Sequence, residues 1–185
     1  MPVSDHPTST NIIALTGFMA AGKSTVGRAL AGLLNWRFID LDSEIERAEG
    51  QTIREIFARR GEAAFRRLES ETLRAILAGA SRAAVIALGG GTFVQPQNPE
   101  LLAAGGARVA FLEVPIDQLL QRCRTMSERC GENPRPLADD EERFCALYAQ
   151  RLPFYRNADL VVAADQKTPD EIAGEIAKAF RLKPS

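Results

Sequence analysis

The sequence predicts an α/β fold, with helices on both sides of a parallel sheet. Three observations predict it. Short apolar runs alternate with stretches of helical period. Four of the five runs are nearly continuous in apolar residues, as strands buried on both faces are. The groups with chemical character fall just after the runs, where ligands sit in open parallel sheets.

The expected strands cover residues 11–16, 37–40, 83–88, 107–112 and 159–163. The helices between them carry start signals. The first follows a glycine-rich turn and has Val26, Leu30, Leu33 and Leu34 as its apolar stripe. Thr52 and Glu55 form a capping-box pattern ahead of Ile56 and Phe57. Pro115 can open a helix striped by Ile116, Leu119, Leu120 and Cys123. Asp139 with Glu142 is a looser cap before Phe144 and Leu147. Thr168, Pro169 and Glu171 give the clearest start, followed by Ile172, Ile176 and Phe180 on one face.

The 185 residues suit a single domain, expected over residues 11–182 behind a loose polar tail at 1–10. Hydrophobic residues make up 45%, enough for a core, and the formal net charge of −1 argues against non-specific nucleic-acid binding. No apolar run is long enough to span a bilayer. The three cysteines, Cys123, Cys130 and Cys145, are odd in number and form no CxxC pair, which favours a reducing cytoplasm. His6, the single histidine, lies in the tail, so histidine catalysis is not expected.

Residues 17–25, GFMAAGKST, fit the phosphate-loop pattern GxxxxGK[ST] between a strand and an amphipathic helix. Backbone N–H groups of Ala20, Ala21, Gly22, Lys23, Ser24 and Thr25 would then face the phosphates of ATP, helped by the helix dipole. Lys23 would reach the β- and γ-phosphates and Ser24 would ligate Mg²⁺. Ala20 stands where many such loops have glycine, and a positive φ there would strain it.

Asp40 and Asp42 end the second strand. Alternation along a strand would put them on one face, one carboxylate for the metal's water shell and one for a substrate hydroxyl. The alternative is that they are merely strand-end and helix-capping residues. Arg66 lies three residues before Glu69 on a helix, close enough for the carboxylate to orient its guanidinium, and a fixed fork suits a carboxylate ligand. Read alone, Arg66 and Arg67 would be a solvated face. Gly89, Gly90 and Gly91 follow the third strand and let backbone approach a ligand, or form a plain turn. That strand ends at Ala87 where many P-loop proteins carry a Walker-B carboxylate, leaving metal binding to Ser24 and Asp40. Residues 124–139, with Arg124, Arg129 and Arg135, read as a lid, where an arginine over the phosphates would neutralise developing charge. Arg151, near the end of the helix after the lid, could be no more than a dipole-complementing residue.

Taken together, GFMAAGKST, DLD at 40–42, GEAAFRRLE at 61–69, LGGGT at 88–92, RPL at 135–137 and RLPFY at 151–155 resemble the shikimate kinase family, from Ile12 to Phe180. The resemblance implies a three-layer P-loop kinase fold with a five-stranded parallel sheet in the order 2-3-1-4-5. It also implies transfer of the ATP γ-phosphate to the 3-hydroxyl of shikimate with Mg²⁺. Within it, Lys23 holds phosphates and Ser24 binds Mg²⁺, with Asp40 in the metal's outer shell. Asp42 faces the substrate hydroxyl, Arg66 and Arg151 grip the carboxylate, and Gly90 makes a backbone contact. Arg135 is the lid arginine over ATP and Arg122 packs on adenine. Neither a nucleic-acid nor a membrane partner is expected, and the chain is expected to be a monomer. Two departures are Ala20 and a stretch 125–133 longer than usual. The rival readings are a sister kinase for another hydroxy acid such as gluconate, and an inactive nucleotide-binding module.

Overall fold

The computed structural model describes residues 12–79, 83–130 and 140–183. In chain order these form β1 (Ile12–Thr16), α1 (Lys23–Leu34), β2 (Arg37–Asp40), α2 (Leu41–Glu49), α3 (Ile53–Gly79) and β3 (Ala84–Ala87). They continue with α4 (Gln97–Ala104), β4 (Ala107–Glu113), α5 (Ile116–Cys130), α6 (Glu141–Tyr155), β5 (Leu160–Ala163) and α7 (Pro169–Ala179).

All five strands are parallel, in the order β2-β3-β1-β4-β5. That is the order implied by the resemblance. Every residue of β1 and β3 is buried, which explains their unbroken apolar runs. The helices flank the sheet: α1 packs against β3 and α7, α2 against α3, and α4 against β4. No described helix is long and apolar enough to cross a membrane.

Most start signals act as expected. The Thr52 and Glu55 box is closed from both sides, Thr52 N–H donating to Glu55 Oε2 at 2.8 Å and Glu55 N–H to Thr52 Oγ1 at 3.2 Å. Thr168 and Glu171 form the same box at α7 with Pro169 in the first turn. Three expectations need correction. The cap of α6 is Asp140, which accepts from Arg143 N–H, rather than Asp139, which lies outside the described residues. Leu33 is exposed, and Ala31 takes its place in the buried stripe of α1. The lid was expected from residue 124, yet α5 stays helical through Cys130.

Helix α3 is bent at Gly61, whose φ of 75° and ψ of 173° lie outside helical values. The bend aims its two arms separately. Ile53 and Phe57 on the first and Phe65, Arg66 and Glu69 on the second line one wall of the cleft described next.

Candidate active site

A cleft of about 990 Å³ opens beyond the carboxyl ends of the strands. It is lined by the loop after β1, by Asp40 and Asp42, by the turn after β3, by Arg122 and Met126 of α5, and by Arg151 of α6. Its far end is lined by Ala164, Lys167, Pro169 and Ile172. The parallel sheet puts these segments together because every strand delivers its following loop to the same edge.

At the phosphate-loop end, Lys23 Nζ folds back over the loop and donates to the carbonyls of Gly17 at 3.0 Å and Phe18 at 2.9 Å. Ala20 has a φ of 60°, the strained conformation anticipated for it. Holding a non-glycine residue there costs about 1–2 kcal/mol. Arg122 Nη1 donates to the Ala20 carbonyl at 3.4 Å, so the expected adenine-side arginine stands at the rim of this loop.

The carboxylate pair is arranged differently from the expectation. Strand β2 ends at Asp40, which caps α2 by accepting from Ser43 N–H, and Asp42 lies in the first turn of that helix. The two therefore do not share a strand face. They still line one cleft, because the helix turns Asp42 back over the strand ends. Ser24 Oγ donates to Asp40 Oδ2 at 2.6 Å, which joins the two expected metal-side groups. Asp40 is also the register partner of Ala87. The carboxylate missing from the end of β3 is thus supplied one strand over. Among the described residues no cluster of three or more acidic, cysteine or histidine side chains could hold a metal. The pair of Ser24 and Asp40 instead suits an ion such as Mg²⁺, which takes few protein ligands and keeps waters and phosphate oxygens.

Asp42 Oδ1 is buried and has no hydrogen-bond partner among the described residues. A buried acceptor left open in a cleft is costly unless a ligand completes it. Burial raises the Asp42 pKa to about 6, with the Glu69 charge as the next cause and Lys23 opposing.

Arg66 is held as its spacing predicts. Its Nη1 donates to Glu69 Oε2 at 2.6 Å, while Nε and Nη2 donate to Glu62 Oε1 at 3.2 and 2.9 Å. Glu69 is itself fully buried, and its Oε1 accepts from Thr92 Oγ1 at 2.6 Å. Thr92 is fixed in turn through its carbonyl, which accepts from Asn98 Nδ2 at 2.8 Å.

This chain of contacts gives the glycine triplet its reason. A Cβ on Gly91 would lie 2.4 Å from Arg66 Nη1. One on Gly89 would lie 2.7 Å from Glu69 Oε1 and 2.9 Å from Asp42 Oδ1. A side chain at either position would have to displace a charged group that lies against the backbone. Gly90 presents its carbonyl to α6, accepting from Arg151 Nη1 at 3.2 Å and from the Tyr155 hydroxyl.

The structure thus brings Lys23, Ser24, Asp40, Asp42, Arg66, Gly89, Gly90, Gly91, Arg122 and Arg151 to one cleft. Arg135 lies outside the described residues. Glu62, Thr92 and Tyr155 were given no role in the sequence, although all three lie inside the quoted motifs. Glu62 is one helical turn before Arg66 and Tyr155 one turn after Arg151, a spacing that could have flagged them.

The shikimate kinase family model matches residues 19–181. This chain belongs to the shikimate kinase family. Membership makes it an ATP-dependent phosphotransferase. A shikimate kinase of Parasynechococcus marenigrum is 44% identical over 174 residues, covering 92% of this chain and 85% of that one. A shikimate kinase of Geobacter metallireducens is 39% identical over 173 residues, covering 92% of each. The solved structure of shikimate kinase from Acinetobacter baumannii in complex with shikimate superposes with a TM-score of 0.81 at 35% identity, over 92% of this chain and 93% of that one. The sheet order is that of the shikimate kinase fold, and the departure at Ala20 leaves it intact.

Proposed function

We propose that this chain transfers the γ-phosphate of ATP to the 3-hydroxyl of shikimate, giving shikimate 3-phosphate and ADP on the chorismate route to aromatic amino acids, as a monomer in the cytoplasm. The observation that carries the reading is the juxtaposition, across one cleft, of the phosphate loop with two guanidinium groups and the Asp42 carboxylate, whose buried Oδ1 has no hydrogen-bond partner among the described residues.

Each group has work in that reaction. The amides of residues 20–25 and Lys23 hold the triphosphate, and the sequence motif assigns Arg135 to the same phosphates. Arg122 and the wall formed by Lys167, Pro169 and Ile172 take the adenine side. Arg66 and Arg151 bind the shikimate carboxylate, and Gly89, Gly90 and Gly91 let the ring lie close to the backbone. Asp42 Oδ1 accepts the hydrogen bond of the attacking hydroxyl and takes its proton as the phosphoryl group arrives. Its raised pKa suits a base that must release that proton afterwards. Ser24 and Asp40 would hold Mg²⁺, which would supply positive charge to offset that of the phosphate oxygens.

A coupled ADP-release assay with and without shikimate tests the reading, with ³¹P NMR to place the new phosphoester. Shikimate-dependent ADP release with a 3-phosphate product is expected, and gluconate should give none. Release that ignores shikimate, or a preference for gluconate, would sink it.

A further inference from the structure

Helix α6 turns one stripe inward, Phe144, Tyr148, Arg151 and Tyr155, spaced by four, three and four residues, and of these Arg151 lines the cleft. The first two hold Phe18 of the phosphate loop edge-on, at 5.0 and 5.4 Å between ring centroids. Arg151 follows, its guanidinium 5.9 Å from the centre of the Phe18 ring. Tyr155 ends the stripe, fully buried, its ring stacked on Phe111 of β4 at 5.2 Å.

Two donors of this stripe meet at one acceptor. The Tyr155 hydroxyl and Arg151 Nη1 both donate to the carbonyl of Gly90. A peptide oxygen has two lone pairs, so the pair of donors fills it. Gly90 in turn lies against the phosphate loop, where a Cβ on it would stand 3.5 Å from Met19 N and 3.7 Å from Gly17 O. Gly90 therefore packs beside the phosphate loop, while its carbonyl ties the glycine turn to α6. Arg151 rests on that carbonyl through one nitrogen and also hydrogen-bonds the Tyr155 side chain, which leaves its other donors for the cleft. Burial raises the Tyr155 pKa to about 12, against the opposing Arg151 charge, so the phenol stays a donor across the working range.

We propose that Tyr155 is a positioning residue for the acceptor: by anchoring the Gly90 carbonyl it fixes the seat of Arg151, and so sets how well the guanidinium meets the acceptor's carboxylate. This rests on the shikimate reading given above. Without the hydroxyl, the Gly90 peptide can tilt and Arg151 follows it. The loss should fall on acceptor binding, because the phosphate loop is held separately by Phe144, Tyr148 and its own amides.

The test is Tyr155→Phe, which keeps the ring on Phe111 and removes only the donor. The KM for shikimate should rise roughly five- to tenfold, the effect of one lost orienting hydrogen bond, with kcat and the KM for ATP little changed. In an Arg151→Ala background the same change should add almost nothing, since the group it positions is gone. Placing 4-aminophenylalanine at 155, which restores a para donor, should bring the KM back down, and it serves equally if the Phe variant folds poorly. An unchanged shikimate KM in Tyr155→Phe, equal losses in kcat and both KM values, or full additivity with Arg151→Ala would overturn the inference. So would a KM that stays high with the donor restored. Wild-type turnover of shikimate is measured alongside: its failure would take down the shikimate reading, whereas normal wild-type turnover with an indifferent Tyr155→Phe would remove this inference alone.

Discussion

The carboxylates of Asp42 and Glu69 come from different helices and meet over the α-carbon of Gly89, where a Cβ would touch Oδ1 of one and Oε1 of the other. Glu69 is paired with Arg66 and accepts a hydrogen bond from Thr92, while Asp42 Oδ1 has no partner among the described residues. The two acids therefore have different fates. Glu69 is a strut held by its hydrogen bonds, and Asp42 is the one whose proton affinity rises.

Asp42→Asn should lower kcat by about a hundred- to ten-thousandfold while leaving nucleotide binding nearly intact, as expected for loss of a positioned base. Its effect on stability runs the other way. The folded pKa of about 6 lies above the ordinary 3.8, so the native chain holds a proton that the unfolded chain gives up. That contribution is complete below about pH 4 and is lost as pH rises through 6, where the buried charge costs up to about 3 kcal/mol. Thermal unfolding at pH 8 should show Asp42→Asn more stable than wild type, with the gap closing between pH 6 and 4. A variant less stable at pH 8 would contradict this account.

Wild-type kcat/KM for the acceptor should fall as pH drops through about 6, as Asp42 takes up a proton. Glu69→Gln removes the neighbouring negative charge and should move this limb to lower pH by roughly half to one unit. The same change frees Arg66 from its buried partner, so the shikimate KM should rise about tenfold or more. Steady-state rates across pH 5–8 read both effects. A limb that stays in place would show that Glu69 acts on Arg66 only.

Glu62 occupies the Nε and Nη2 edge of Arg66, the edge that suits a ligand carboxylate. Its side chain is 65% exposed against 17% for Arg66, so the pair is held weakly and can open. Glu62→Gln should lower the shikimate KM by up to about fivefold by removing that competitor. A higher KM, measured by the same assay, would mean that Glu62 helps to aim the guanidinium instead.

Two glycine substitutions should separate sharply. Gly91→Ala drives a methyl group into the Arg66 guanidinium and should weaken acceptor binding by at least about tenfold. Gly32→Ala sits on α1 with open space around its Cβ and should stabilise the fold by about 0.5–1 kcal/mol without changing turnover. Paired melting curves and KM values check both.

Periodicity and local chemistry determined much of this protein from the sequence alone. The strands could be read because residues buried on both faces must be apolar, as in Ile12–Thr16. Capping at Thr52 and Thr168 was legible because its partners lie within one turn. The phosphate loop and the pairing of Arg66 with Glu69 were readable for the same reason. Contacts between distant segments were decided by the fold. That Asp40 stands beside Ala87, that Gly91 must yield to Arg66, and that Tyr155 reaches Gly90 across 65 residues all depend on how the strands register and how α3 and α6 settle over their ends. The position of Asp42 turned on where β2 stops: ending the strand at Asp40 converts an alternating pair into a helix cap and a first-turn carboxylate. Side-chain direction follows backbone geometry, and two residues' difference in where a strand ends redirects every group after it.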